Sequence, residues 1–322
     1  MPYMVEKNSG SIYQVKLGAT REEGGTRDKV IVIGGENALP FQNYEGACAN
    51  KAVIAAEVLD YYPGEWPQAL KDAWGPCMSS PAAWSKEAVA RGADMIYLKL
   101  LSVDPDRGGR SIDERVSIVG EVLGAVSCPI GVQGCDNDEY DRPLIAKISE
   151  KYKGENLLIG LAKQTNYATY AAACISDGHT LIASSPLDIN LCKQLNILIS
   201  DMNTPLDRIV IDPSIGALGY GLEYAYSILE RGRLGALGGD RMLAMPVIGF
   251  VGAETWKVKE SNAESSEFPK WGDKVTRGVS WETVTATALL QSGINILVMR
   301  HPEAMKAVKN YINGFSEAVR PA

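Results

Sequence analysis

The chain has 322 residues, 46% of them hydrophobic and 22% charged, a globular balance with enough apolar surface for a large core. Its net charge is −7 and its pI about 5.1, which argues against broad binding to nucleic acid or anionic membranes, since both need clustered Lys and Arg. No run of about 18 apolar residues occurs, so no membrane-spanning helix is expected; the greasiest stretch is broken by Gln291, Ser292 and Asn295.

The first fifty residues read as a preamble. Ser11–Leu17 and Lys29–Ile33 are short β-branched runs around a polar segment with two glycines, which predicts a β-hairpin with a long loop. The opening MPYMVEKNSG has no apolar core of signal-peptide length, so a cytoplasmic location is expected. Gly34-Gly35 runs into ENALPF rather than a helical pattern, so it does not read as a dinucleotide-binding turn.

From residue 51 to 322 strand and helix signals alternate. Apolar runs at Ala52–Val58, Met95–Leu100, Pro129–Val132, Leu157–Leu161, Thr180–Ala183, Arg208–Ile211, Pro246–Phe250 and Asn295–Met299 suit strands buried on both faces. Helical patterns fall between them: 81–92, 111–126, 140–152, 166–175, 188–202, 221–231, 281–291 and 302–315. Ser111 and Glu114 have the spacing of a capping box. Eight such units predict a (β/α)8 TIM barrel preceded by the N-terminal hairpin extension; an open doubly wound sheet is the alternative. The polar stretch Lys257–Gly278 reads as a long loop after the seventh strand, with Trp256 and Trp271 as candidate interface anchors.

In this fold the carboxyl ends of the strands carry the chemistry. Those ends supply Glu57, Lys99, Gln133, Lys163, Gln164, Ser184, Ser185, Asp188, Asp212, Ser214, Glu254, Arg300 and His301. His179 precedes the fifth strand, at the opposite end. With so few histidines a nucleophile–His–acid triad is hard to assemble, and no cluster of His and carboxylates suggests a metal. Glu57 and Asp212 are a possible carboxylate pair, and Lys99 is the one strand-end candidate for a Schiff-base lysine. Asp188 suits either a ligand contact or the cap of the next helix. The six cysteines, Cys48, Cys77, Cys128, Cys135, Cys174 and Cys192, show no C-x-x-C spacing, so packing as small apolar side chains is the expectation.

Two segments are richest: Ser184–Asn190, crowded with hydroxyls, a carboxylate and an amide, and Asp212–Gly221, whose glycines let backbone approach a ligand closely. The residues expected to face a cofactor are therefore Gln164, Ser184, Ser185, Asp188, Asn190, Asp212, Ser214, Ile215, Gly216 and Gly219.

Several longer stretches carry a family resemblance: LGATREEGGTR (17–27), IGGENALPF (33–41), SSPLDINLCKQLNILI (184–199), IDPSIGALGYGLEY (211–224) and ATALLQSGINILVMRHPEA (286–304). They resemble the small (delta) subunit of the corrinoid iron–sulfur protein, the acetyl-CoA decarbonylase/synthase delta subunit, over about residues 11–315. The resemblance implies a barrel paired with a large subunit that carries a [4Fe–4S] cluster and most of a cobamide site. It further implies a methyl carrier in the reductive acetyl-CoA pathway, served by a methyltetrahydrofolate:corrinoid methyltransferase, a reductive activator and acetyl-CoA synthase/CO dehydrogenase. On that reading this chain shields the cobamide and assigns no chemical step to its own residues; cobalt chemistry needs positioning and exclusion of water from the protein. The family also resembles pterin-dependent methyltransferases of the same fold, so a stand-alone methyltransferase is the alternative. Leu161-Ala-Lys ends the fourth strand where such an enzyme is expected to carry an amide.

Overall fold

The structure is a computed structural model that describes residues 7–42, 45–46 and 49–318. Cys48 lies outside the described residues; none of the five other cysteines forms a disulfide. A short antiparallel hairpin, β1 (Val15–Leu17) and β2 (Ile31–Ile33), precedes eight parallel strands. These are β3 (Val53–Leu59), β4 (Met95–Lys99), β5 (Ile130–Gln133), β6 (Leu158–Ala162), β7 (Thr180–Ser184), β8 (Ile209–Asp212), β9 (Ile248–Gly249) and β10 (Ile296–Met299). Their order is 8-7-6-5-4-3-10-9, each strand pairing with its sequence neighbour and β10 returning to β3. The circle is completed between β8 and β9 by a single parallel bridge of Ile211 with Val247, where the Ile211 N–H donates to the Pro246 carbonyl at 2.8 Å. This is the nearly closed (β/α)8 barrel expected from the alternation.

The outer helices are α1 (Gln68–Trp74), α2 (Pro81–Ala90), α3 (Ile112–Ala125), α4 (Asp138–Lys151), α5 (Tyr167–Asp177), α6 (Ile189–Asp201), α7 (Leu222–Leu237), α8 (Val251–Thr255), α9 (Lys259–Asn262), α10 (Lys274–Gln291) and α11 (Pro302–Ala318). Their starts follow local chemistry. Ser111 opens α3 with a full capping box, its N–H donating to Glu114 Oε2 at 2.9 Å. Asn137, Asp188 and Asp273 cap α4, α6 and α10 through their side-chain oxygens. The expected long loop at 257–278 is instead structured by α9, a turn at Pro269–Trp271 and the first turn of α10, which begins seven residues before the Trp281 of its sequence signature. Polar composition hid this, because α10 buries Arg277 and Glu282 rather than an apolar stripe alone.

Each barrel strand is apolar on both faces, but its two faces belong to different cores. Ile54, Ala56 and Val58, like Ile96 and Leu98 or Leu181 and Ala183, pack outward against the helices. Val53, Ala55, Met95, Tyr97, Leu158, Ile182, Val210, Ile248, Ile296 and Val298 fill the barrel interior. The hairpin contributes Val15, Leu17 and Ile33 to that inner cluster, so it plugs the amino-terminal end of the barrel. Asn156 fastens it: its amide donates to the Lys16 carbonyl at 2.8 Å and its carbonyl accepts from the Gly18 N–H at 3.0 Å. No helix among the described residues is long and apolar enough to cross a membrane.

Candidate functional site at the barrel mouth

The period-two alternation of a strand decides what lines the mouth. Following the inward series one step past the apolar layers, β3 presents Glu57, β4 Lys99, β5 Gln133, β7 Ser184 and β8 Asp212, while Arg300 follows β10 directly. Apolar layers below and a polar layer above make a cavity of about 960 Å³. Leu161, Phe250, Trp66 and Ile215 add apolar wall, and Gln164, Thr165, Ser185 and Ser214 add neutral polar groups.

One wall is an ion triad. Glu57 is fully buried; its Oε1 accepts from Arg300 Nε at 3.0 Å and Nη2 at 2.6 Å, and its Oε2 lies 3.1 Å from Lys99 Nζ. Burial alone would raise the Glu57 carboxyl, but Arg300 and Lys99 outweigh it and hold it at about 2. Burial pushes Lys99 in the uncharged direction, against the pull of Glu57. Both cations rest on aromatic faces: Arg300 Cζ is 4.5 Å from the Trp66 ring centroid and Lys99 Nζ 4.9 Å from that of Phe250. Glu282, buried in α10, sets the Arg300 backbone: it accepts from the Arg300 N–H at 2.6 Å, the His301 N–H at 3.1 Å and Trp256 Nε1 at 2.7 Å. Burial pushes Glu282 up to about 7.

The facing wall comes from β7 and β8. Asp212 is buried, and burial lifts its carboxyl to about 6 despite hydrogen bonds from Ser184 Oγ at 2.7 Å and the Ser214 N–H at 3.1 Å. Ser214 has a left-handed φ of 60°, an uncommon conformation for a side-chain-bearing residue; it lets the hydroxyl donate to the Ser185 carbonyl at 2.8 Å. The two loops after β7 and β8 are thereby stitched together.

Of the residues expected to face a cofactor, Gln164, Ser184, Ser185, Asp212, Ser214 and Ile215 line the cavity. Asp188, Asn190, Gly216 and Gly219 lie outside its lining. The Asp188 carboxylate caps α6, accepting from the Asn190 N–H at 2.7 Å and the Leu191 N–H at 3.1 Å, so the capping alternative holds. Gly216 is needed by its own loop: a Cβ there would meet the Gly221 and Tyr220 backbones at 2.7 Å. Gly219 has φ of 73° in the turn that follows.

Other readings also change. Glu57 and Asp212 each have separate partners and form no carboxylate pair. Lys99 is held by Glu57, Lys163 by Asp136 and Lys257 by Glu254. His301 is turned away from the cavity, stacked on Trp256 at 5.8 Å with Nδ1 accepting from the Glu303 N–H. Trp256 is a core residue rather than an interface anchor, 3% exposed; Trp271 is 40% exposed and stacked on Phe268. His179 sits at the plugged end, as its position implied, between the Leu157 N–H and the Ser149 carbonyl. The triad itself was missed as a unit, although counting inward positions in twos would have placed Glu57, Lys99 and Arg300 on adjacent strands.

Fold and site together define a (β/α)8 barrel with a plugged amino-terminal end and a wide polar mouth. Solved barrels of this shape include dihydropteroate synthase from Xanthomonas albilineans with 4-aminobenzoic acid (TM-score 0.57, 10% identity, 86% of this chain and 96% of that one). Another is dihydropteroate synthase from Coxiella burnetii in complex with pteroic acid (TM-score 0.56, 12% identity, 96% and 100%). At such identities the likeness concerns the fold alone. The sequence goes further: residues 14–309 match the family model of the CO dehydrogenase/acetyl-CoA synthase delta subunit, and the chain belongs to that family. It is 36% identical over 304 residues to acetyl-CoA decarbonylase/synthase complex subunit delta 1 of Methanosarcina thermophila, covering 92% of this chain and 69% of the relative. The subunit delta of Archaeoglobus fulgidus is 34% identical over 318 residues, covering 97% and 70%.

Proposed function

We propose that this chain is the small subunit of a heterodimeric corrinoid iron–sulfur protein, a methyl carrier between a methyltetrahydrofolate:corrinoid methyltransferase and acetyl-CoA synthase. The observation that carries the reading is family membership over residues 14–309 combined with an open, polar barrel mouth.

A corrinoid is a wide, flat ring edged with carboxamides. The donor set of the mouth fits such an edge: Gln164, Thr165, Ser185 and Ser214 offer amide and hydroxyl partners without a fixed charge. Beside them, Leu187 and Tyr220 stand exposed on the loops after β7 and β8 and Tyr224 on the first turn of α7, apolar surface suited to a covering partner. Neither imidazole of the chain is placed to ligate cobalt, since His301 is engaged behind the wall and His179 at the opposite end. Among the described residues no group of three or more His, Cys, Asp or Glu comes together as a metal site. The proposed division of labour is that the large subunit holds the cobamide and the [4Fe–4S] cluster, and this chain offers the mouth of its barrel as a cover. When bound, the cobamide supplies the cobalt that accepts and releases the methyl group; this chain's residues orient its edge and exclude water.

Anaerobic co-expression with the large subunit, purified through a tag on this chain alone, tests the reading. One-to-one co-elution with cobamide and iron–sulfur absorbance is expected. A colourless chain eluting by itself would contradict it, and saturable methyltetrahydrofolate binding by that chain would then favour the stand-alone methyltransferase.

A further inference from the structure

The ion triad has more positive charge than it uses. Two cations, Lys99 and Arg300, share one carboxylate, Glu57. Glu57 takes only the Nε and Nη2 edge of the guanidinium; among the described residues Arg300 Nη1 donates to no protein acceptor. Among the described residues Lys99 Nζ likewise has Glu57 as its single anionic partner. Both cations line the cavity with 12–14% of their side chains exposed, and the Trp66 and Phe250 rings hold them in place. Leaving cationic N–H groups half-desolvated and incompletely paired costs free energy unless something completes them.

We infer that the Lys99–Arg300 wall of the barrel cavity is a binding site for a carboxylate group. The local balance of two positive charges and one negative is completed by a monoanion. A phosphate dianion would leave a net negative charge in the half-buried wall. A planar carboxylate also suits the remaining guanidinium edge, which offers parallel N–H donors, with Lys99 as a second contact. Asp212 acts on Lys99 only at a distance: it belongs to the facing wall, where Ser184 and Ser214 engage it, and makes no ion pair with either cation. The cavity thus has an anion-accepting wall on β3, β4 and the end of β10, and a donor-accepting wall on β7 and β8. A small molecule with a carboxylate at one end and an N–H or O–H donor at the other matches both. The inference concerns this chain alone and does not depend on the methyl-carrier reading.

The test is a titration of the full chain with acetate, followed by ligand-observed NMR, with acetamide and inorganic phosphate as parallel probes. Saturable acetate binding that exceeds both probes is expected. Replacing either cation, Lys99→Met or Arg300→Met, should weaken acetate binding at least about tenfold, the worth of one charged hydrogen bond. Glu57→Gln is the discriminating variant: it removes the internal competitor, so acetate binding should tighten, by about tenfold, even though the fold is weakened. Circular dichroism confirms that each variant is folded, and Arg300→Lys keeps a cation where Arg300→Met fails to fold. Equal binding of acetamide, tighter binding of phosphate, or a loss of binding in Glu57→Gln would overturn the inference.

Discussion

Arg27 and Arg300 stand at opposite ends of the barrel and are used in opposite ways. Arg27, 2% exposed, donates to the carbonyls of Leu123, Val126 and Cys128 and lies 3.3 Å from Glu155. Its guanidinium is spent on joining the hairpin region to the ends of α3 and β5. Arg300 is held by one carboxylate and an aromatic face, and one side of it remains at the cavity. Around Arg27 the chain is closed: Nη1 and Nη2 are bonded to internal acceptors, and Nε, without a hydrogen bond of its own, faces the Glu155 carboxylate at 3.3 Å. Around Arg300 the polar groups are fixed from behind, by Glu282 and Trp74 on the backbone, and left incomplete in front. A barrel in which one end is a plug and the other a pre-organised polar mouth divides stability from function along its axis.

The largest expected effect breaks the plugged end. Arg27→Met leaves Glu155 buried and three carbonyls without their donor, and should cost about 3–5 kcal/mol in urea denaturation. The acetate affinity of the chain that remains folded should stay unchanged; a parallel loss of binding would mean the two ends are not separable.

At the mouth, pH separates the two walls. Asp212 titrates at about 6 when folded against an ordinary value of 3.8, so the unfolded chain releases its proton first as pH rises. Its contribution therefore falls with pH between about 4 and 6, and Asp212→Asn should flatten that fall and add up to about 3 kcal/mol at pH 7. Glu57 has the reverse sign. Its folded value of about 2 lies below the ordinary 4.5, so its stabilisation is present above about pH 4.5 and is lost as pH falls toward 2. Glu57→Gln should remove that acid slope while lowering stability at neutral pH by about 2 kcal/mol, because two partly exposed cations lose their partner. Denaturation curves from pH 3 to 8 measure both. Slopes of the same sign would contradict the opposed roles of the walls.

The smallest effect on stability belongs to the exposed rim. Tyr220 and Tyr224 are 74% and 66% exposed, so replacing both by Ser should change stability by no more than about 0.5 kcal/mol. Association with the large subunit should weaken measurably, as read by biolayer interferometry under anaerobic conditions. Unchanged association would move the interface away from this rim.

Much of this fold is legible in the sequence. Seven of the eight barrel strands fall within one residue of their apolar runs at either end; β9, which the pairing reduces to Ile248–Gly249, starts two residues into its run. The capping box at Ser111 and the cap at Asp188 were legible because both act through neighbours in sequence. What stayed hidden is long-range. The Glu57–Arg300 pair spans 243 positions, and the Glu282 bonds that orient Arg300 come from a helix whose start has the polar composition of a loop. Runs apolar on both faces also conceal which positions look inward, since only the last polar residue of each run marks the phase. Gly216 is ambiguous for a related reason. A glycine freed for ligand approach and a glycine packed against its own loop have the same sequence signature.

Hydrogen–deuterium exchange of this chain, alone and in complex with the corrinoid-loaded large subunit, tests the central claim most directly. The account predicts new protection in the mouth loops at 184–191 and 213–224, with the hairpin and the Asn156 region unchanged. Protection confined to the plugged end, with the mouth loops exchanging as in the free chain, would contradict it.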